Sequence, residues 1–307
     1  MIVTVGDVAT DVLAVLAADL APGSDTPATV RVAGGGQGAN TAAWLAAAGA
    51  AVTFVGAVGD DGPGRDRVAE LRAAGVRVQV SVSPDAGTGS VVVLVRDGER
   101  TMISDRGAND RLDPRVAATA VAAAADDGAR HLHLSGYTLF DDGSRPAGLA
   151  ALRQARDSGL TTSVDAASAA PLRAAGPDFL TWVDGVDLLF ANADEADVLA
   201  DSAGTPAAMA TAAGGAVVVK LGADGAVWAD GDGVRRVRAR PAAVVDSTGA
   251  GDAFAAGLLT AWVAGADVPE ALAAGCRLGA VAVGATGARP AAGARYSVAP
   301  ADGGELR

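Results

Sequence analysis

Short apolar or β-branched runs alternate with helix-period segments over most of this chain, and that rhythm limits what it can fold into. Residues 2–5, 53–55, 131–135, 162–164, 188–190 and 216–221 read as strands. Segments 40–48, 64–74, 145–157 and 253–263 read as helices between them, and 268–284 as a further helix with a Gly/Ala-rich face. Strands separated by helices pair in parallel and need cover on both faces. The expected class is therefore α/β, a three-layer αβα sandwich with a mostly parallel central sheet. Two segments break the rhythm: 11–33 and 76–104 carry β-type alternation without helices, with a hairpin expected around the strong turn pair Asp97-Gly98. They are expected to form a small β-sheet lid over the strand C-termini, inserted in a single domain spanning 1–307; the alternative is that they extend the central sheet's edge. Residues 297–307 read as a loose tail.

Asp246-Ser247-Thr248-Gly249-Ala250-Gly251-Asp252-Ala253-Phe254 is the most informative local stretch. It runs from an apolar segment through a small-residue loop into a helix start. Amides at Gly249, Ala250 and Gly251, together with the helix dipole, make a site for an anion such as a transferring phosphoryl group. A carboxylate at Asp252 is out of place beside an anion unless it takes a proton from an attacking hydroxyl. The competing reading is a tight turn with an Asp near a helix start.

Composition narrows the partners. A net charge of −12 argues against a general nucleic-acid or anionic-membrane binder, which needs a basic face. Backbone amides and Mg²⁺ can still meet the phosphates of a nucleotide locally. Cys276 is the only cysteine, so neither an intramolecular disulfide nor a Cys-based zinc cluster is available. No stretch has the ~18–20 uncharged apolar residues of a membrane helix, and the strand pattern begins at Ile2, so the expected location is cytoplasmic. His131 and His133 alternate along one strand and lack the partners of a catalytic or metal constellation.

Three further motifs are each ambiguous alone. Gly34-Gly35-Gly36-Gln37-Gly38-Ala39-Asn40 lets a backbone approach a ligand, with Asn40 as an N-cap or a ligand contact, or it is simply a turn. Asn192 and Glu195 lie on one face of a helix start, fit either to meet Mg²⁺ through water or to form a capping box. Lys220 ends a buried strand before a turn containing Gly222 and Gly225, a place that suits a nucleotide.

Taken in order, Asp11, Gly-Gly-Gln-Gly-Ala-Asn at 35–40, Val-Gly-Ala-Val-Gly-Asp-Asp at 55–61, Asn-x-x-Glu at 192–195, Lys-Leu-Gly-x-x-Gly at 220–225 and Asp-Ser-Thr-Gly-Ala-Gly-Asp at 246–252 strongly resemble the ribokinase-like, PfkB-type carbohydrate kinases. The resemblance spans roughly residues 2 to 290. It implies a kinase that uses ATP and Mg²⁺ on a small sugar. The outer face of the lid is expected to carry Val12, Val15 and Val92, an apolar patch that a homodimer could cover. Asp252 would then be the base, and Gly249, Ala250 and Gly251 the anion hole. Asp11, Gly35, Gly36 and Asn40 would hold the sugar. Asn192 and Glu195 would serve Mg²⁺ and phosphate, and Lys220, Gly222 and Gly225 the nucleotide. Asp246 and Thr248 would flank a monovalent cation such as K⁺, with the loop around Gly287 as the other wall.

The departures concern the acceptor. Ribokinases carry an acidic residue where this chain has Ser135-Gly136-Tyr137-Thr138-Leu139. That segment looks more like the 2-keto-3-deoxygluconate kinases; Arg106 could face a substrate carboxylate, and Tyr137 is a further candidate substrate contact. Their second arginine is missing, since Ala166, Ala167 and Ser168 follow the strand at 162–164. A neutral sugar, a sugar acid and a nucleoside all stay open, although few aromatic residues are available to stack on a base. The reading from another class is a catalytically silent sugar- or nucleotide-binding regulator, against which Asp252 and the intact anion hole speak.

Overall fold

In the computed structural model, which describes residues 1–96 and 99–298, the strands are β1 (Ile2–Val5), β2 (Ala9–Leu16), β3 (Ala28–Gly35), β4 (Val52–Gly59), β5 (Arg77–Ser83), β6 (Gly89–Arg96), β7 (Glu99–Asp105), β8 (His131–Ser135), β9 (Thr161–Asp165), β10 (Leu188–Asn192), β11 (Ala216–Lys220), β12 (Ala226–Asp230) and β13 (Gly233–Val237). The helices are α1 (Gln37–Ala47), α2 (Gly62–Ala73), α3 (Pro114–Asp126), α4 (Tyr137–Phe140), α5 (Arg145–Asp157), α6 (Ala169–Ala175), α7 (Asp178–Trp182), α8 (Ala193–Ala203), α9 (Pro206–Ala213), α10 (Ala250–Val263) and α11 (Val268–Val283).

The central sheet has nine strands in the order β13-β12-β11-β10-β9-β8-β1-β4-β5. Pairing is parallel from β5 through to β11, and only β12 and β13 at one edge run antiparallel. Side chains on successive strand residues point to opposite faces. Accordingly Leu189 and Ala191 of β10 join a core with α3, α5, α8 and α9, whereas Leu188 and Phe190 join one with α1, α10 and α11. These are the three layers. On the second face α10 and α11 approach closely over Gly257 and Gly275, as their small-residue pattern implied; a Cβ at Gly275 would lie 2.9 Å from the Phe254 ring.

The smaller sheet has four strands in the order β3-β2-β6-β7. Arg77–Ser83, expected in it, instead pairs in parallel with β4 and ends the central sheet. The reason is α2: it gives β5 the helical crossover that a parallel neighbour requires. β6 and β7 pair from Arg96↔Glu99 onward, while the turn expected at Asp97-Gly98 lies outside the described residues, as does 299–307 of the expected tail.

His131 and His133 are buried. Their rings meet Thr161 and Ser163 hydroxyls at 2.7–2.8 Å, and burial depresses both, His133 to about 4. They are neutral core residues. Among the described residues no helix is long and apolar enough to cross a membrane.

Candidate active site

The strand order reverses at β1, which sits between β8 and β4. In open α/β sheets ligands bind outside the carboxyl ends of the strands at such a point. Asp7, just past β1, occupies it. Its carboxylate accepts the Gln37 amide (3.0 Å), the Gly38 amide (3.4 Å) and the Ser135 hydroxyl (2.8 Å). Capped by Asp7 in this way, α1 begins at Gln37, earlier than expected, so Asn40 is not an N-cap. Its side chain is free to face the site. Asn40 Nδ2 donates to Asp252 Oδ2 at 3.0 Å, and Asn40 Oδ1 accepts from Arg289 Nε at 3.0 Å.

Asp252 lies in the first turn of α10, whose N-cap Gly249 has φ 74°. A Cβ at Gly249 would fall 2.2 Å from the Ala288 carbonyl oxygen, so only glycine allows both the left-handed turn and this contact. The Ala250 amide, expected to point into the anion hole, donates to Ser247 O at 3.3 Å. The helix start leaves the amides of Gly251 and Asp252 without helical acceptors. Burial, and then the nearby Asp165 carboxylate, push Asp252 up to about 8, against the pull of Asn40 and Lys220.

Strands β9, β10 and β11 deliver charged groups to the same edge. Lys220 Nζ lies 2.6 Å from Asp165 Oδ2, and a Cβ on Gly251 would come within 3.3 Å of that ammonium. Burial alone would lower Lys220, but Asp165, Glu195 and Asp252 hold it above its ordinary value. Asp165 also accepts from Gln37 Nε2 (3.2 Å) and from the amide of Ala167, a non-glycine residue at φ 67°. Glu195 is 2% exposed and forms a full capping box with Asn192. Burial, and then Asp165, raise Glu195 to about 7. Gly222 stands in open space, whereas Gly225 is glycine because the Val237 carbonyl oxygen would sit 1.9 Å from a Cβ.

On the side facing the small sheet, the Asp11 carboxylate lies over Gly35, where a Cβ would meet it at 2.0 Å. Burial raises Asp11 to about 6 despite Arg289 and Arg67. A Cβ on Gly36 would strike the Asp7 carbonyl. Arg106, just past β7, is already engaged: its Nε faces Asp141 (3.1 Å) and Asp110 (3.6 Å), and Nη2 donates to Tyr137 O (3.1 Å). Its guanidinium lies 5.4 Å from the Tyr137 ring centroid, and burial raises that phenol to about 12. In the loop before α10, Asp246 accepts from the amide and hydroxyl of Thr248 (2.9 and 2.6 Å) and from the Gly287 amide (3.0 Å), which joins the two loops.

A family model described as pfkB family carbohydrate kinase matches residues 1–294. The chain belongs to this family. It is 32% identical over 283 residues, 90% of each chain, to an ATP-dependent ribose-1-phosphate kinase from Halopiger xanaduensis. It is 31% identical over 265 residues, 82% of this chain and 80% of the relative, to a 2-dehydro-3-deoxygluconokinase from Thermoproteus tenax. The crystal structure of adenosine kinase from Sinorhizobium meliloti superposes with a TM-score of 0.82 at 27% identity, covering 97% of this chain and 96% of that one. As a member of this family the chain is a sugar or nucleoside kinase. Three groups in this cluster, Asp7, Asp165 and Arg289, are not among those the motifs singled out. The first two carried a signal, because each ends or follows a strand at the sheet's carboxyl edge; Arg289 carried none.

Proposed function

We propose that the chain transfers the γ-phosphoryl group of ATP to the hydroxymethyl group of a small neutral sugar. The observation that carries this is Asp252, a shielded carboxylate held by Asn40 one residue beyond the glycine loop at 249–251 that opens α10. Asp252 takes the proton of the hydroxyl, the oxygen attacks the γ-phosphorus, and ADP leaves. The amides of Gly251 and Asp252 and the Lys220 ammonium stabilise charge on the transferring group. Asp11, Asn40 and the Gly35-Gly36 backbone face the sugar, and the small sheet is its lid.

Among the described residues no three His, Cys, Asp or Glu side chains converge to hold a metal ion unaided. The Glu195 carboxylate at this edge fits Mg²⁺ brought by the nucleotide and met through water, where it would neutralise phosphate charge. The joined loops at Asp246, Thr248 and Gly287 fit a monovalent cation such as K⁺.

Arg106 supports the neutral acceptor. Its charge is matched by Asp141 and Asp110, and an incoming carboxylate would also meet Asp7, 4.0 Å from Arg106 Nη1. The 32% identity to a ribose-1-phosphate kinase favours a second reading, an acceptor that already carries a phosphate. Arg106→Ala is expected to cost less than ~2 kcal/mol in kcat/KM, the loss of a hydroxyl contact and not of a charge-assisted pair. The test is a kinase assay with ribose, ribose-1-phosphate, 2-keto-3-deoxygluconate and adenosine as acceptors. A clear preference for a charged acceptor, abolished by Arg106→Ala, would overturn the neutral reading.

We also propose a homodimer through the lid. Register puts Val12, Val32, Val92 and Ile103 side by side on one face, with Val32 64% and Ile103 58% exposed. Val15, expected on that face, alternates to the opposite one with Asp11. An apolar patch of this kind is normally covered. Sedimentation velocity at micromolar concentration should show a dimer that Val32→Asp converts to monomer; a wild-type monomer would count against it.

A further inference from the structure

Three consecutive residues, Gly287, Ala288 and Arg289, reach three parts of the site. The Gly287 amide binds Asp246, and the Ala288 carbonyl takes the Trp44 indole N–H at 2.9 Å and closes over Gly249. Arg289 turns the other way. Its Nε donates to Asn40 Oδ1 (3.0 Å), Nη2 to the Gly35 carbonyl (2.8 Å), and Nη1 faces Glu70 Oε2 (3.3 Å). Glu70 is itself held by Arg67, which also donates to the Ala33 carbonyl. The Arg289 side chain is only 14% exposed, so these partners fix it.

An asparagine amide has two orientations that exchange a donor for an acceptor. A guanidinium only donates, so Arg289 requires Asn40 Oδ1 on its side. That leaves Nδ2 facing Asp252 Oδ2. The opposite orientation would set donor against donor at Arg289 and oxygen against carboxylate at Asp252. We infer that Arg289 is a positioning residue for phosphoryl transfer, acting through Asn40 to hold the Asp252 carboxylate in line with the acceptor hydroxyl. The inference rests on Asp252 being the base.

The charge of Arg289 acts in the same sense as its hydrogen bond. Asp252 is faced by Asp165 from β9 and by Asp7 after β1, both of which favour its protonated form. Lys220 from β11 and Asn40 from α1 oppose them, and Arg289 interacts favourably with the Asp252 charge. Removing Arg289 therefore takes away both an oriented donor and a cation.

The test is a double-variant cycle with Arg289→Met in the wild-type and Asn40→Ala backgrounds. Arg289→Met should lower kcat ~10-fold or more, as loss of alignment at a reacting group does. It should also move the acid limb of the kcat/KM–pH profile upward by ~0.5 pH unit or more. In Asn40→Ala the same change should cost less than ~2-fold, because the group it acts through is gone. Full cost in that background, or a slower enzyme with an unmoved limb, would overturn the inference. Should Arg289→Met fail to fold, Arg289→Lys, which keeps charge and a single donor, should hold the limb in place and lose only part of kcat; a lysine variant as slow as Asn40→Ala would overturn it. Asp252→Asn, assayed alongside, separates the two levels. If that variant keeps wild-type turnover the base assignment fails, whereas loss there with no response at Arg289 defeats only the positioning role.

Discussion

Asp252→Asn is expected to cut turnover by ~10² or more while leaving nucleotide binding nearly intact, the range that removal of a general base costs. Asparagine keeps the shape and can still accept from Asn40 Nδ2, so only the proton acceptor is lost. The same substitution should raise stability at neutral pH in the absence of ligands. The sign follows from linkage. Burial and Asp165 raise this carboxyl from 3.8 to about 8 in the folded protein. Its contribution is fully favourable below the unfolded value and is lost as pH rises through the folded one. Between those limits the charged form is better solvated in the unfolded chain. The asparagine variant should therefore melt at a higher temperature than wild type at pH 7, with the gap closing as pH falls toward 4. Activity of the wild type should climb with pH as the base ionises. Wild-type turnover in Asp252→Asn at saturating sugar would sink the assignment, and an unchanged melting temperature would show that the carboxylate is not under the strain its surroundings imply.

The parallel sheet was legible because most of its strands are short apolar or β-branched runs and helix-period segments such as 64–74 and 145–157 lie between them. The mis-assignment of Arg77–Ser83 shows where that legibility ends. An edge strand has one solvated side, so its alternation matches that of a strand in a small separate sheet; only the crossover through α2 decides between them. The site was readable where chemistry is packed into consecutive residues, as at 246–252. It was unreadable where a group enters from a distant segment. Arg289 contacts Asn40 across 249 positions, and nothing in Ala288-Arg289-Pro290 marks it as a site residue. Asn40 itself was read ambiguously because local sequence allows an N-cap. That reading fails once Asp7, from another segment, caps the helix first.

Lys220→Met is expected to give the second largest effect, and to divide it between stability and catalysis. Lys220 and Asp165 form a nearly fully buried pair at 2.6 Å, with side-chain exposures of 13% and 2%. Removing one member of a buried pair leaves an uncompensated charge and costs about 3–5 kcal/mol. Asp165 keeps its bonds from Gln37 and Ala167, which places the expected loss toward the lower end of that range. The change also removes the cation beside Gly251, which in the proposed reaction meets the charge on the transferring group, so turnover should fall ~10²-fold or more, as loss of one stabilising donor does. The double variant Lys220→Met/Asp165→Asn separates the two. Neutralising the stranded carboxylate should recover most of the stability measured by denaturant unfolding, because an uncharged, hydrogen-bonded amide then occupies the site. It should recover none of the turnover, since the ammonium is still missing. Recovery of both would make Lys220 a purely structural partner of Asp165. Wild-type stability in the single variant would instead show that Asp165 finds its compensation elsewhere.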